Sequence, residues 1–132
     1  MDEENGSAMA ELFFAQEVED VHSDETLNKI DTNDRFYQDA LTYWSSIPPT
    51  VDGMLGGYAY ITKTDTDGSK RFLLDLMNAQ KVGRSRVLDC GAGIGRVSKN
   101  LLLPLFDLVD LLEVNKKFLD EAPSYIGKPL YD

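Results

Sequence analysis

Residues 86–101 read Arg-Val-Leu-Asp-Cys-Gly-Ala-Gly-Ile-Gly-Arg-Val-Ser-Lys-Asn-Leu, and few stretches of this length restrict a fold so strongly. Val87 and Leu88 suit a buried parallel strand. Gly91, Gly93 and Gly95 let the backbone turn tightly and approach a ligand with no Cβ in the way. The helix that follows would aim free N–H groups and partial positive charge at whatever rests on the loop. Strand, glycine loop and helix opening together imply a nucleotide-like cofactor.

Around this motif the order of elements reads helix, loop, helix, strand, helix, strand, helix. Asn33 or Asp34 can cap a helix over about 35–46. Phe36, Tyr37, Ala40, Leu41 and Trp44 give it one apolar face, and Pro48 and Pro49 end it. Residues 48–60 form a loop that combines three glycines with bulky apolar groups. A second helix is predicted over about 67–79, with Phe72, Leu73, Leu76 and Met77 inward. Strands are predicted over 86–90 and 108–113, with helices from Gly95 to Leu103 and from Lys116 to Ala122, before Pro123 breaks regularity. The pattern is α/β: an N-terminal helical extension, then the first βαβα part of a doubly wound sheet. A single βαβ unit leaves much apolar sheet uncovered, so the expectation is a chain that stops in mid-domain. Three regions follow: an acidic, mostly disordered tail over 1–33, a helical extension with a lining loop over 34–84, and a partial cofactor domain over 85–132.

The formal net charge of −10 is unevenly placed. Residues 1–34 hold eleven Asp or Glu and one Lys, whereas residues 35–132 hold twelve acids and twelve bases. The acidity belongs to the tail, within which residues 8–18 can form a short amphipathic helix. A neutral body argues against strong binding to phosphate backbones, and an acidic tail allows attraction to basic protein segments. No apolar run reaches the roughly 18 residues of a membrane span, and the acidic N-terminus lacks the order of a signal peptide. The lone Cys90 excludes an internal disulfide and is expected as a small buried packing residue. His22 is expected to be solvated in the tail, and no metal-ligand cluster is expected.

Asp89 stands at the C-terminal end of the first strand. Glu113 stands at that of the second, 22 residues after Gly91. In a doubly wound sheet both ends face one crevice, where Glu113 can accept hydrogen bonds from two ribose hydroxyls. Dinucleotide loops read G-x-G-x-x-G and set a helix dipole on a pyrophosphate. Here the reading is Asp-x-Gly-x-Gly-x-Gly, and Asp89 would repel a pyrophosphate at short range. It suits a ligand with an amino group and a sulfonium, which describes S-adenosylmethionine, and Arg96 can pair with that ligand's carboxylate. A glycine turn that serves only packing, and a nicotinamide or flavin site, are the competing readings.

The segment Tyr43-Trp44-x-x-Ile47-Pro48-Pro49-Thr50-Val51-Asp52-Gly53-Met54-Leu55-Gly56-Gly57-Tyr58 resembles the N-terminal region of the alpha-N-terminal protein methyltransferases. Leu88-Asp89-Cys90-Gly91-Ala92-Gly93-Ile94-Gly95-Arg96 resembles that family's cofactor loop, its Cys included, and Leu101-Leu102-Leu103-Pro104-Leu105-Phe106 is similar in style. The likeness covers about Phe36 to Tyr125. The first segment is the specific one; the glycine loop alone would indicate only a class I methyltransferase.

The resemblance implies a Rossmann-like class I methyltransferase sheet, incomplete in this chain. It implies methyl transfer from S-adenosylmethionine to the free α-amine of proteins that begin Ala, Ser or Pro followed by Pro-Lys, in nucleus and cytoplasm. It implies Gly91 and Arg96 at the cofactor, and Glu113, Val114 and Asn115 at its ribose and adenine. The family usually has Asp where this chain has Glu113. Trp44 is implied beside both cofactor and substrate, and Leu55, Gly56 and Ile61 along the peptide channel. The family's general-base Asp and His lie in its second half and have no counterpart here, so no catalytic base is expected. Whether this chain is active by itself stays open at this point. A non-catalytic short form, a binding partner of the full-length enzyme and another class I methyltransferase are the alternatives.

Overall fold

Three parallel strands, β1 (Glu11–Phe14), β2 (Arg86–Cys90) and β3 (Leu108–Leu112), form one sheet in the order β1-β3-β2. They belong to a computed structural model that describes residues 11–14 and 31–128. β2 and β3 pair from Arg86 opposite Leu108 to Cys90 opposite Leu112, so Asp89 and Glu113 come to the same end of the sheet. β1 departs from the expected amphipathic helix over residues 8–18. The far edge of β3 presents unpaired backbone donors and acceptors, and the apolar run Leu12-Phe13-Phe14 has strand-forming residues that can take that edge. Residues 31–33 of the expected tail are helical, and apart from β1 its remaining residues, His22 included, lie outside the described residues.

Alternation along the strands divides the sheet into two unlike faces. Val109 and Leu111 are buried and Val87 is partly so, packed with Met77, Leu101, Leu102, Phe106, Leu119 and Ala122. Arg86, Leu88 and Cys90 point the other way and are exposed. Arg86 pairs there with Asp110 across the strands, at 2.6 and 3.0 Å. Cys90 is therefore exposed, not buried, because the two-residue period carries it to the uncovered face.

The helices are α1 (Asp31–Ser46), the short α2 (Val51–Met54), α3 (Thr62–Asn78) and α4 (Lys116–Ile126). α1 starts before the predicted cap at Asn33 or Asp34. α3 starts five residues before the prediction: its polar first turns read as a loop, yet a Lys63–Asp67 ion pair four residues apart supports them as helix. Its packed face runs through Thr66, Leu73, Leu74 and Met77, while Phe72, expected inward, is 63% exposed. The helix expected from Gly95 to Leu103 is α-helical only at Arg96 and Val97, then widens into a π-helical turn over Ser98–Leu102. α4 runs through Pro123 to Ile126, where Gly127 in the left-handed region ends it. The proline forgoes one backbone bond, but Phe118, Leu119, Ala122 and Ile126 bury a continuous stripe that outweighs the loss. No helix among the described residues is long and apolar enough to cross a membrane.

The unequal faces set unequal costs for shortening a side chain. Leu111→Ala, at 1% exposure, is expected to destabilise the chain by about 2–5 kcal/mol. Leu88→Ala, at 50% exposure, should change stability by no more than about 0.5 kcal/mol. Urea unfolding of the two variants checks the difference.

Candidate functional site

A cavity of about 630 Å³ opens at the C-terminal ends of β2 and β3, between the glycine loop and α1. Its floor is Gly91, Ala92 and Gly93, and Arg96 and Val97 continue the floor into the first helical turn. Glu113, Val114 and Asn115 form one wall, with Phe118 beyond them. The opposite wall is α1, through Tyr37, Ala40, Leu41 and Trp44. These four stand at i, i+3, i+4 and i+7, one face of a helix. The expected apolar face of this helix thus serves as cavity wall, and none of its residues from Arg35 to Ser46 is buried.

Local chemistry fixes each part. Glu113 accepts the Gly93 N–H on one oxygen at 2.8 Å and the Asn115 N–H on the other at 2.7 Å. Each oxygen keeps a second lone pair. Asp89 Oδ2 accepts the N–H and hydroxyl of buried Ser98, at 3.1 and 2.7 Å. Gly91 has φ of +70°, which disfavours any side chain, and a Cβ built there would meet nothing within 4 Å. Its open side faces the cavity, so that space is left for a ligand. At Gly93 the reason is different: a Cβ would lie 2.6 Å from Met54 Sδ, so the missing side chain lets Met54 cover the loop.

α1 is held over the site at one end. Lys117 donates to the Ser45 and Ile47 carbonyls, both at 2.7 Å, and the Trp44 ring meets Phe118 edge to face with centroids 6.4 Å apart. Thr50 caps α2 by accepting the Gly53 N–H, and Asp52 accepts the Ala59 N–H, so these two residues shape the loop that carries Met54.

All six residues expected at the cofactor, Trp44, Gly91, Arg96, Glu113, Val114 and Asn115, line this one cavity. Leu55, Gly56 and Ile61 lie outside its lining, on the chain that follows Met54. Sequence reasoning passed over Tyr37, Ala40, Leu41 and Met54 as cavity residues. The helical stripe was a visible signal, but a stripe alone does not distinguish a core face from the wall of a pocket. Asn115 Nδ2, at the cavity wall, is a buried donor with no hydrogen-bond partner, whereas Arg96 Nη1 lies 2.9 Å from the Asp65 carboxylate in an ion pair. A buried donor left over in this way calls for an explanation, and Asn115 in one wall and the Arg96 guanidinium at the floor match a ligand with acceptors at both ends. S-adenosylmethionine, with a carboxylate at one end and adenine at the other, fits this arrangement.

A parallel sheet that carries a nucleotide-cofactor loop, with acidic strand ends and an apolar cover, defines the first part of a Rossmann-like methyltransferase domain. Residues 32–131 match the family described as AdoMet dependent proline di-methyltransferase, and the chain belongs to that family. It is 52% identical over 101 residues to N-terminal Xaa-Pro-Lys N-methyltransferase 1 of Danio rerio, covering 75% of this chain and 45% of the relative. The corresponding Homo sapiens protein is 49% identical over 105 residues, covering 78% and 47%. The chain thus spans about half the length of the curated relatives it matches. A solved SAM-dependent methyltransferase from Leishmania major is similar at a TM-score of 0.66 and 46% identity, over 72% of this chain and 38% of that one.

Burial pushes the Asp89 carboxyl above the ordinary carboxylate range; the Ser98 hydrogen bonds and the nearby Arg96 charge only partly offset it, and Glu113 adds to it. A carboxyl raised on folding contributes most below its unfolded value and loses that contribution as pH rises through its folded value. The difference in urea midpoint between the native chain and Asp89→Asn is therefore expected to shift in favour of the native chain as pH falls from 7 towards the ordinary value of 3.8, and midpoints measured across this range check the sign.

Proposed function

We propose that this chain forms the cofactor-binding part of a protein N-terminal methyltransferase. The methyl group would pass from S-adenosylmethionine to the α-amine of a protein beginning Xaa-Pro-Lys. The observation that carries the reading is the convergence of a glycine loop, two acidic strand ends and the Arg96 guanidinium on one cavity. The printed names of the similar proteins support the substrate class.

S-adenosylmethionine, when bound, supplies an activated methyl carbon on a sulfonium. The work of this chain's residues is to bind, orient and exclude water. Arg96, at the cavity floor, would hold the carboxylate end through its guanidinium. Asp89 holds negative charge beside the loop, where an ammonium and a sulfonium are favoured. Glu113 would offer its remaining lone pairs to ribose hydroxyls, and Asn115 Nδ2 would donate to an acceptor on the base. Trp44, Leu41 and Val114, which line the cavity, would shield the ring system from water. An unperturbed α-amine has a pKa of about 7.7–8.0, so near neutral pH removing its proton costs little. The larger gain would come from holding amine and methyl carbon in line.

Calorimetric titration of the chain with S-adenosylmethionine, and with NAD as control, tests the cofactor. Saturable binding of S-adenosylmethionine alone is expected, abolished by Gly91→Trp, which fills the open side of the loop. Binding of NAD in its place would overturn the reading.

A further inference from the structure

Arg96 enters the cavity from the turn after the glycine loop, and its side chain is only 13% exposed. An arginine enclosed this far needs a partner for its charge. Asp65, in the first turn of α3, provides one, with Oδ2 2.9 Å from Arg96 Nη1. The contact is one of charge: Nη1 is closed off from water and makes no aligned hydrogen bond. Asp65 is not part of the cavity lining, so it meets Arg96 from outside the ligand space. Its own side chain is 45% exposed and can keep its charge hydrated while it holds the guanidinium.

We propose that Asp65 is a positioning residue for ligand recognition: by pairing with Arg96 it fixes the guanidinium at the cavity wall, with donors free for the carboxylate of an amino-acid-bearing nucleoside. An arginine side chain is long and rotatable, and holding it in place beforehand removes an ordering cost from binding. The planar fork then presents its remaining N–H groups in a fixed direction. The same contact joins α3 to the cofactor loop, so the helical extension contributes to recognition of the ligand's amino-acid end without touching it. The opposite role is physically available. A carboxylate beside Arg96 can compete with the ligand's carboxylate, and its removal would then tighten binding. The sign of one substitution separates the two.

The inference rests on the cofactor reading above, and the experiment distinguishes the failure of each. Calorimetry would compare the full chain with Asp65→Asn and Asp65→Glu, titrating S-adenosylmethionine and 5′-methylthioadenosine, which lacks the amino-acid end. Asp65→Asn is expected to weaken S-adenosylmethionine about fivefold, the size of a partly exposed ion pair. Methylthioadenosine should stay within about twofold, and Asp65→Glu should recover part of the loss. Unchanged or tighter S-adenosylmethionine binding by Asp65→Asn would overturn the inference and leave the cofactor reading in place. Equal weakening of both ligands would also overturn it, since that is the mark of a merely structural role. Failure of the unsubstituted chain to bind S-adenosylmethionine would overturn the cofactor reading, and this inference with it.

Discussion

The carboxylates at the ends of β2 and β3 hold the glycine loop, and the site depends on that loop. Glu113 grips its middle through the Gly93 N–H, and Asp89 grips its exit through Ser98. Hydrogen bonds to ionised acceptors are among the stronger ones, at about 1.5–3 kcal/mol each. They satisfy backbone donors that the tight turn leaves without a helix partner. They also hold the Asp89 carboxylate in a half-buried place; that burial raises its pKa, and the like charge of Glu113 adds a smaller part. Arg96 offsets part of it. A ligand with positive charge near Asp89 would offset more, so the interactions that shape the loop also favour the charge of what it receives.

α1 has a different physical basis. Most protein helices owe their stability to an apolar stripe packed against a core. Here the stripe of Tyr37, Ala40, Leu41 and Trp44 lines a cavity, with Trp44 still 41% exposed. What fixes α1 is concentrated at its C-terminal end, in Lys117 and in the contact of Trp44 with Phe118. An element with few buried contacts belongs to the least stable part of a fold. A ligand in the cavity would add contacts to the same stripe.

The chemistry-bearing half of the fold was legible because its signals are local. The strand at Val87, the three glycines and the acids at Asp89 and Glu113 each have a mechanism that acts within a few residues, and all six expected cofactor residues meet at one cavity. Errors arose where a partner distant in sequence decides the outcome. Leu12-Phe13-Phe14 becomes strand because β3 has an edge to fill. Cys90 is exposed because nothing among the described residues covers its side of the sheet. Pro123 stays within α4 because a buried stripe compensates for the bond it lacks. The Asp65–Arg96 pair spans two elements separated by a loop and a strand, and no spacing rule announces such a contact.

These features imply an order of dependence. The covered face of the sheet, centred on Val109 and Leu111, stands on close packing alone and holds the strand ends in register. The strand ends shape the loop through two carboxylates. Loop and strand ends, with Phe118 and Lys117, then give α1 its seat. Each step has fewer buried contacts than the one before, so the last is the one a ligand can most readily strengthen. A ligand present at a hundred times its dissociation constant adds about 2.7 kcal/mol to the state that binds it. Because α1 forms one wall and Arg96, tied to α3, forms part of the floor, that increment would fall on the helical extension.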